Sequence, residues 1–216
     1  MQKFLSLLLS LLLSVCILNA QSNSPGNDAA LQLVNSNRAS LGLSIEDLSN
    51  VIVSGTYYDN TTGLKMVYLN QVYRGIPLLN QMLVLAFKEG KLVSQAGKFN
   101  HGVEKFTGGK NGIFSVSAET AVQAALSDRG LAVTKMAVTL AVKNDGRYFE
   151  FNDMGISREN ITAELIWIPI EEEVNHVNAV TKIELAWQVK LVPKVTSDYW
   201  MISVNATDKR ILDVDN

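Results

Sequence analysis

Few side chains in this 216-residue chain could do chemistry. There are two histidines, His101 and His176, and one cysteine, Cys16. A zinc site of the His-Glu-x-x-His kind needs two imidazoles one helical turn apart, and these two lie in unrelated segments. His101 sits in a glycine-rich stretch and His176 follows an acidic run, so both read as exposed histidines without a catalytic role. A nucleophilic serine would need a Gly-x-Ser-x-Gly elbow, which the chain lacks. Glu171, Glu172 and Glu173 are consecutive. On a strand or turn such carboxylates point in different directions, which makes them a solvated charge run and not a metal or acid/base cluster. "FTGGKNG" has the glycines of a phosphate loop without the Gly-Lys-Ser/Thr order. Trp167, Trp187 and Trp200 each stand among aliphatics, where packing is the first expectation and an interface the second. No catalytic constellation emerges, and no metal or cofactor is expected in this chain.

Lysine and arginine number 19 against 21 acids, a formal charge of −2. No window clusters basic and aromatic residues as phosphate binding requires, so the expected partners are proteins or small molecules and not nucleic acid. Residues 1–20 read as a secretory signal peptide: Lys3, an apolar run, then a small residue at Ala20 before the expected cut. The run is too short to span a membrane, which takes roughly 20 apolar residues. Export to the periplasm or medium is the expectation, with no membrane attachment once the signal is removed. Acylation at Cys16 is the weaker alternative, because Val15 stands where a small residue belongs. If Cys16 leaves with the signal, neither disulfide nor thiolate chemistry remains.

Residues 21–27 read as a flexible leader. Asp28 is then the expected cap of a helix that stops at Gly42, and Ser44 with Asp47 carries a capping-box signature. Four segments rich in β-branched and aromatic residues come next, "VIVSGTYYD", "LKMVYLNQVY", "PLLNQMLVLAF" and "KLVSQAGKF". Turn residues punctuate them at short intervals, too short for parallel crossovers, so they predict an antiparallel meander. Residues 100–114 read as a linker. Beyond it Ser117 caps an alanine-rich helix, and six further strand-like segments run to the C-terminus. Segregated helices and strands predict an α+β fold: two consecutive subdomains over residues 28–99 and 115–216, each an antiparallel meander with a helix on one face. "MLVLAF" and "ELIWIPI" are apolar on both faces, so a second layer or a partner should cover the far side.

These motifs in this order resemble the propeptide of bacterial fungalysin-type secreted zinc metallopeptidases. Gly63, the strand "LKMVYLN", Gln71, Gly75 and Pro77 resemble the fungalysin/thermolysin propeptide module, as does the hairpin "AFKEGKLVSQAGKF". "SAETAVQAAL", "LAWQV" and "WMISVNATDKRIL" resemble the PepSY-like module that comes after it, of cystatin-like form. Met66 replaces a histidine common in the family. Lys209 replaces a turn glycine, which predicts a different turn type there, since positive φ would strain a lysine. The resemblance implies a prodomain that chaperones and noncovalently inhibits its own peptidase before being cleaved away, with zinc only in the cognate catalytic domain. That domain is the expected partner. The expected interface is the second apolar face of the first meander, marked by Leu83, Leu85 and Phe87, together with Trp187. The expected junction lies near Asp213, Val214, Asp215 and Asn216, at the end of a tail threading toward the peptidase cleft. The alternative is a free-standing exported PepSY-like or cystatin-like protease inhibitor or ligand-binding module.

Overall fold

The computed structural model describes residues 25–174 and 176–216. The expected signal peptide and the first part of the leader lie outside them. Helix α1 (Pro25–Ser36) starts four residues earlier than an N-cap at Asp28 predicts. Proline is well placed in a first turn, where its missing N–H has no partner to lose, and Asp28 there complements the helix dipole. The helix also stops before Gly42, and Asn37 explains why. Its amide nitrogen donates to the Leu33 carbonyl (2.9 Å) and the Gly90 carbonyl (3.0 Å), and its oxygen accepts from the Leu92 N–H (3.1 Å). These bonds fasten the helix end to the sheet below. Helix α2 (Ile45–Ser49) opens with the expected capping box between Ser44 and Asp47.

Strands β1 (Val51–Asp59), β2 (Leu64–Tyr73), β3 (Ile76–Lys88) and β4 (Lys91–Gly97) form an antiparallel meander. After α3 (Val103–Phe106) and α4 (Ala118–Asp128), which Ser117 caps as expected, come β5 (Thr139–Lys143), β6 (Tyr148–Phe151), β7 (Ile161–Val174), β8 (Val177–Leu191), β9 (Trp200–Asn205) and β10 (Ile211–Asp215). These six are also antiparallel to one another. One parallel pairing, Leu78 with Trp167, joins β3 to β7. All ten strands thereby belong to one mixed sheet with a few short helices, an α+β fold.

Two principal cores form. In the first, Ala30 and Val34 of α1 cover Val67, Leu69, Leu83, Leu85 and Phe87. In the second, α4 packs its Ala121, Val122, Ala125 and Leu126 on the inner residues of β7, β8 and β9. Tyr73, Ile76 and Leu78 of the first meander also belong to this second core. The chain therefore does not divide at a bare linker. Residues 100–114, expected to bury little, include α3, whose Val103 is buried in the second core.

One local event lets β3 serve both cores. Its even-numbered Ile76 and Leu78 face the second core, and its odd-numbered Leu83, Leu85 and Phe87 face the first. Strand side chains alternate with period two, so the phase must invert between these groups. It does so where Asn80 adopts φ +57° and the β2–β3 register jumps from Val72 with Pro77 to Asn70 with Met82.

Candidate functional site

Two hairpin turns shape the first meander. At the β1–β2 end, Asp59 accepts from the Thr61 N–H (2.8 Å) and the Thr62 hydroxyl (2.6 Å), and the Gly63 N–H closes on the Asp59 carbonyl (2.8 Å). Gly63 takes φ +70°, which explains its place in the motif. At the β2–β3 end, Arg74 (φ +53°) and Gly75 (φ +73°) form a two-residue turn with both φ positive, the geometry that matches strand twist. A Cβ on Gly75 would stand 3.0 Å from the Arg147 guanidinium. That guanidinium donates to the Arg74 carbonyl (3.2 Å), and the Trp167 indole N–H donates to the Tyr73 carbonyl (3.0 Å). The turn that carries Gly75 and Pro77 is thus a plug seated in the second half of the chain.

Gln71 secures the other end of the meander. Its buried amide donates to the Asn100 carbonyl (2.7 Å) and accepts from the Asn100 N–H (2.9 Å), so one side chain satisfies both polar groups of a backbone leaving the sheet. Beside it, Asp47 accepts from the Ser44 N–H and hydroxyl (2.8 Å each) and meets His101 Nδ1 at 3.0 Å. Burial pushes the Asp47 carboxyl up, but the Ser44 hydrogen bonds and the neighbouring His101 outweigh it and hold the pKa below the ordinary value. His101, read from the sequence as functionless, is a structural partner of α2.

Leu83, Leu85 and Phe87 are 5%, 0% and 1% exposed, and Trp187 is 0% exposed with its indole N–H donating to the Val116 carbonyl (2.7 Å). The expectation that these four residues meet a partner is corrected. Helix α1 covers the first three, and Phe114 and Phe149 pack edge-on against Trp187. Among the described residues the uncovered face of the meander is the opposite phase. Across the paired strands it presents Tyr57 beside Met66, Tyr68 beside Val84, and Ile52 in one row with Met82. Ile52, Tyr57 and Met82 are 37%, 60% and 45% exposed. Charges in this phase gather at one end of the strands, at Asp59, Lys88 and Lys91. The sequence signal was present: in "MLVLAF" both phases are apolar, but the phase with two leucines and a phenylalanine is bulkier than Met82, Val84 and Ala86. The amphipathic α1 takes the bulkier one.

Residues 213–215 are no free tail. They lie in β10, paired with β9, with Val214 packed against the second core, while Asn216 accepts from the Tyr199 N–H (2.9 Å). A peptidase binds substrate as a separate extended strand, so bonds inside β10 are protected by that pairing. The turn before β10 also differs from expectation. Lys209 does adopt φ +67°, the conformation that glycine favours. The surrounding bonds impose it: Asn205 Oδ1 accepts from the Thr207 N–H (2.8 Å) and Asp208 N–H (3.2 Å), and the Asn205 amide and Arg210 guanidinium both donate to the buried Glu184 carboxylate.

Among the described residues no group of three or more His, Cys, Asp or Glu could hold a metal ion, and no helix is long and apolar enough to cross a membrane. Residues 49–99 match the Fungalysin/Thermolysin Propeptide Motif. The match spans β1 to β4 and ends at Phe99, where Gln71 clamps the departing chain. No curated protein matches the chain. The motif marks a propeptide segment of fungalysin/thermolysin-type peptidases, a kind of segment that is not itself catalytic and that associates with a peptidase catalytic domain.

Proposed function

We propose that this chain is the exported prodomain of a zinc metalloendopeptidase, an intramolecular chaperone and noncovalent inhibitor that is removed on activation. The observation that carries the reading is the coincidence of the propeptide motif with a meander closed by α1 on one side and apolar and open on the other. The open face, with Ile52, Tyr57, Met66, Tyr68, Met82 and Val84, is the docking surface for the catalytic domain. Burying such side chains supplies about 1.5–3 kcal/mol each when fully covered, enough for tight binding through a few of them. The zinc belongs to the catalytic domain in this reading, and the second half, with its PepSY-like order of elements, anchors the plug at Gly75. Titrating the separately produced catalytic domain with this chain should abolish peptide hydrolysis. Full activity at micromolar concentrations of the chain would overturn the reading.

A further inference from the structure

We propose that the peptide bond between Lys110 and Asn111 is a cleavage site for an endopeptidase that recognises a basic side chain, and that the two products remain one folded unit until diluted. The proposal does not rest on the prodomain reading.

A protease needs several residues of chain free to lie extended in its cleft, which favours exposed irregular segments with little to unfold. Residues 108–114 belong to no helix or strand, and the backbone hydrogen bond formed there runs from the Lys110 N–H to the Thr107 carbonyl (3.2 Å). Gly108 and Gly109 have φ +61° and +74°, and a Cβ on either would meet nothing within 4 Å. Lys110 and Asn111 are exposed. Lys110 lies near enough to Glu184 to help lower that carboxyl's pKa, yet among the described residues it forms no ion pair. Three other basic residues have partners, Lys98 with Glu171 (3.5 Å), Lys194 with Asp153 (2.6 Å), and Arg129 over the Trp200 ring, while Lys105 sits in α3 and Lys88 and Lys91 in the paired strands β3 and β4. Lys65 and Lys143 lie inside paired strands. Hydrolysis adds water across the amide, leaving a carboxylate on Lys110 and an ammonium on Asn111.

The cut leaves the packing in place. Ile76, Leu78 and Val103, all before Lys110, stay in the core built by residues after it. The Trp167 to Tyr73 and Arg147 to Arg74 bonds and the Leu78 with Trp167 pairing also cross the cut. On the downstream side Gly112 abuts Ile76, and the N–H groups of Ser115 and Val116 both reach the Ala206 carbonyl (3.0 Å). What changes is molecularity: folding of the nicked form becomes an association, so its stability falls with dilution where the intact chain's does not.

The test is limited digestion of the native full chain with trypsin at low ratio, followed by intact mass and size exclusion. The first products should end at Lys110 and begin at Asn111, and should coelute at micromolar concentration. Lys110→Ala should slow the first cut at least tenfold, and Lys110→Arg should retain it. The urea midpoint of the nicked form should fall on tenfold dilution while that of the intact chain stays fixed. A first cut at another basic residue, unchanged digestion of Lys110→Ala, separate elution of the fragments, or a midpoint that ignores dilution would each overturn the proposal. All of these readouts are independent of peptidase inhibition.

Discussion

Asp47 holds three donors on one buried carboxylate, and its ionisation is therefore tied to folding. Its pKa in the folded chain lies below the ordinary carboxylate value, so the stabilisation it provides is present above the unfolded pKa of about 3.9 and is lost as pH falls through the folded value. Asp47→Asn should consequently lower the urea midpoint more at pH 7 than at pH 3, where protonation has begun to remove the parent's advantage. An equal loss at both values would mean that shape, and not charge, matters there. At this scale the sequence was half legible. Ser44 and Asp47 announced their box through spacing alone, because capping is local. Gln71 was visible as a motif residue, but its partner Asn100 stands 29 residues away, beyond any local pattern. Lys209 misled for the opposite reason: local conformational preference argued against positive φ, and a network reaching back to Glu184 overrode it.

Strand β3 shows the same division among elements. All four strands of the first meander were legible from β-branched runs and turn residues, since both are short-range signals. The facing of β3 was legible only in part: the bulk of Leu83, Leu85 and Phe87 marks the phase that α1 selects, but nothing in the run announces that Asn80 inverts that phase from the one Ile76 and Leu78 use. Two substitutions within β3 separate the faces. Leu85→Ala removes a fully buried side chain and should cost about 2–5 kcal/mol in chemical denaturation. Met82→Asp, on the open face, should leave the denaturation midpoint nearly unchanged and weaken inhibition of the catalytic domain at least tenfold. Inhibition undiminished by Met82→Asp would remove the open face from the docking surface.

For the molecule as a whole, composition and element order sufficed for the α+β class, since segregated helices and strands leave few ways to build a core. That β3 and β7 would pair was not legible, because it depends on one parallel contact between distant segments. The pairing makes the matched motif dependent on the second half of the chain. A fragment of residues 25–99 should expose Tyr73, Ile76 and Leu78 and self-associate in light scattering. Ile76→Thr with Leu78→Thr should restore a monomeric fragment. A parent fragment that is already monomeric and cooperative would show that the plug is dispensable to the first core.

The bond from the Trp167 indole to the Tyr73 carbonyl joins residues 94 positions apart. During synthesis from the amino end, the first meander is therefore complete long before its plug has a socket, and Ile76 and Leu78 stay bare for that interval. Closing so long a loop is slow relative to forming hairpins. The bare turn is thus the place where a nascent chain is most open to holdase capture, and the burial of Trp167 offers a fluorescent clock for when that exposure ends.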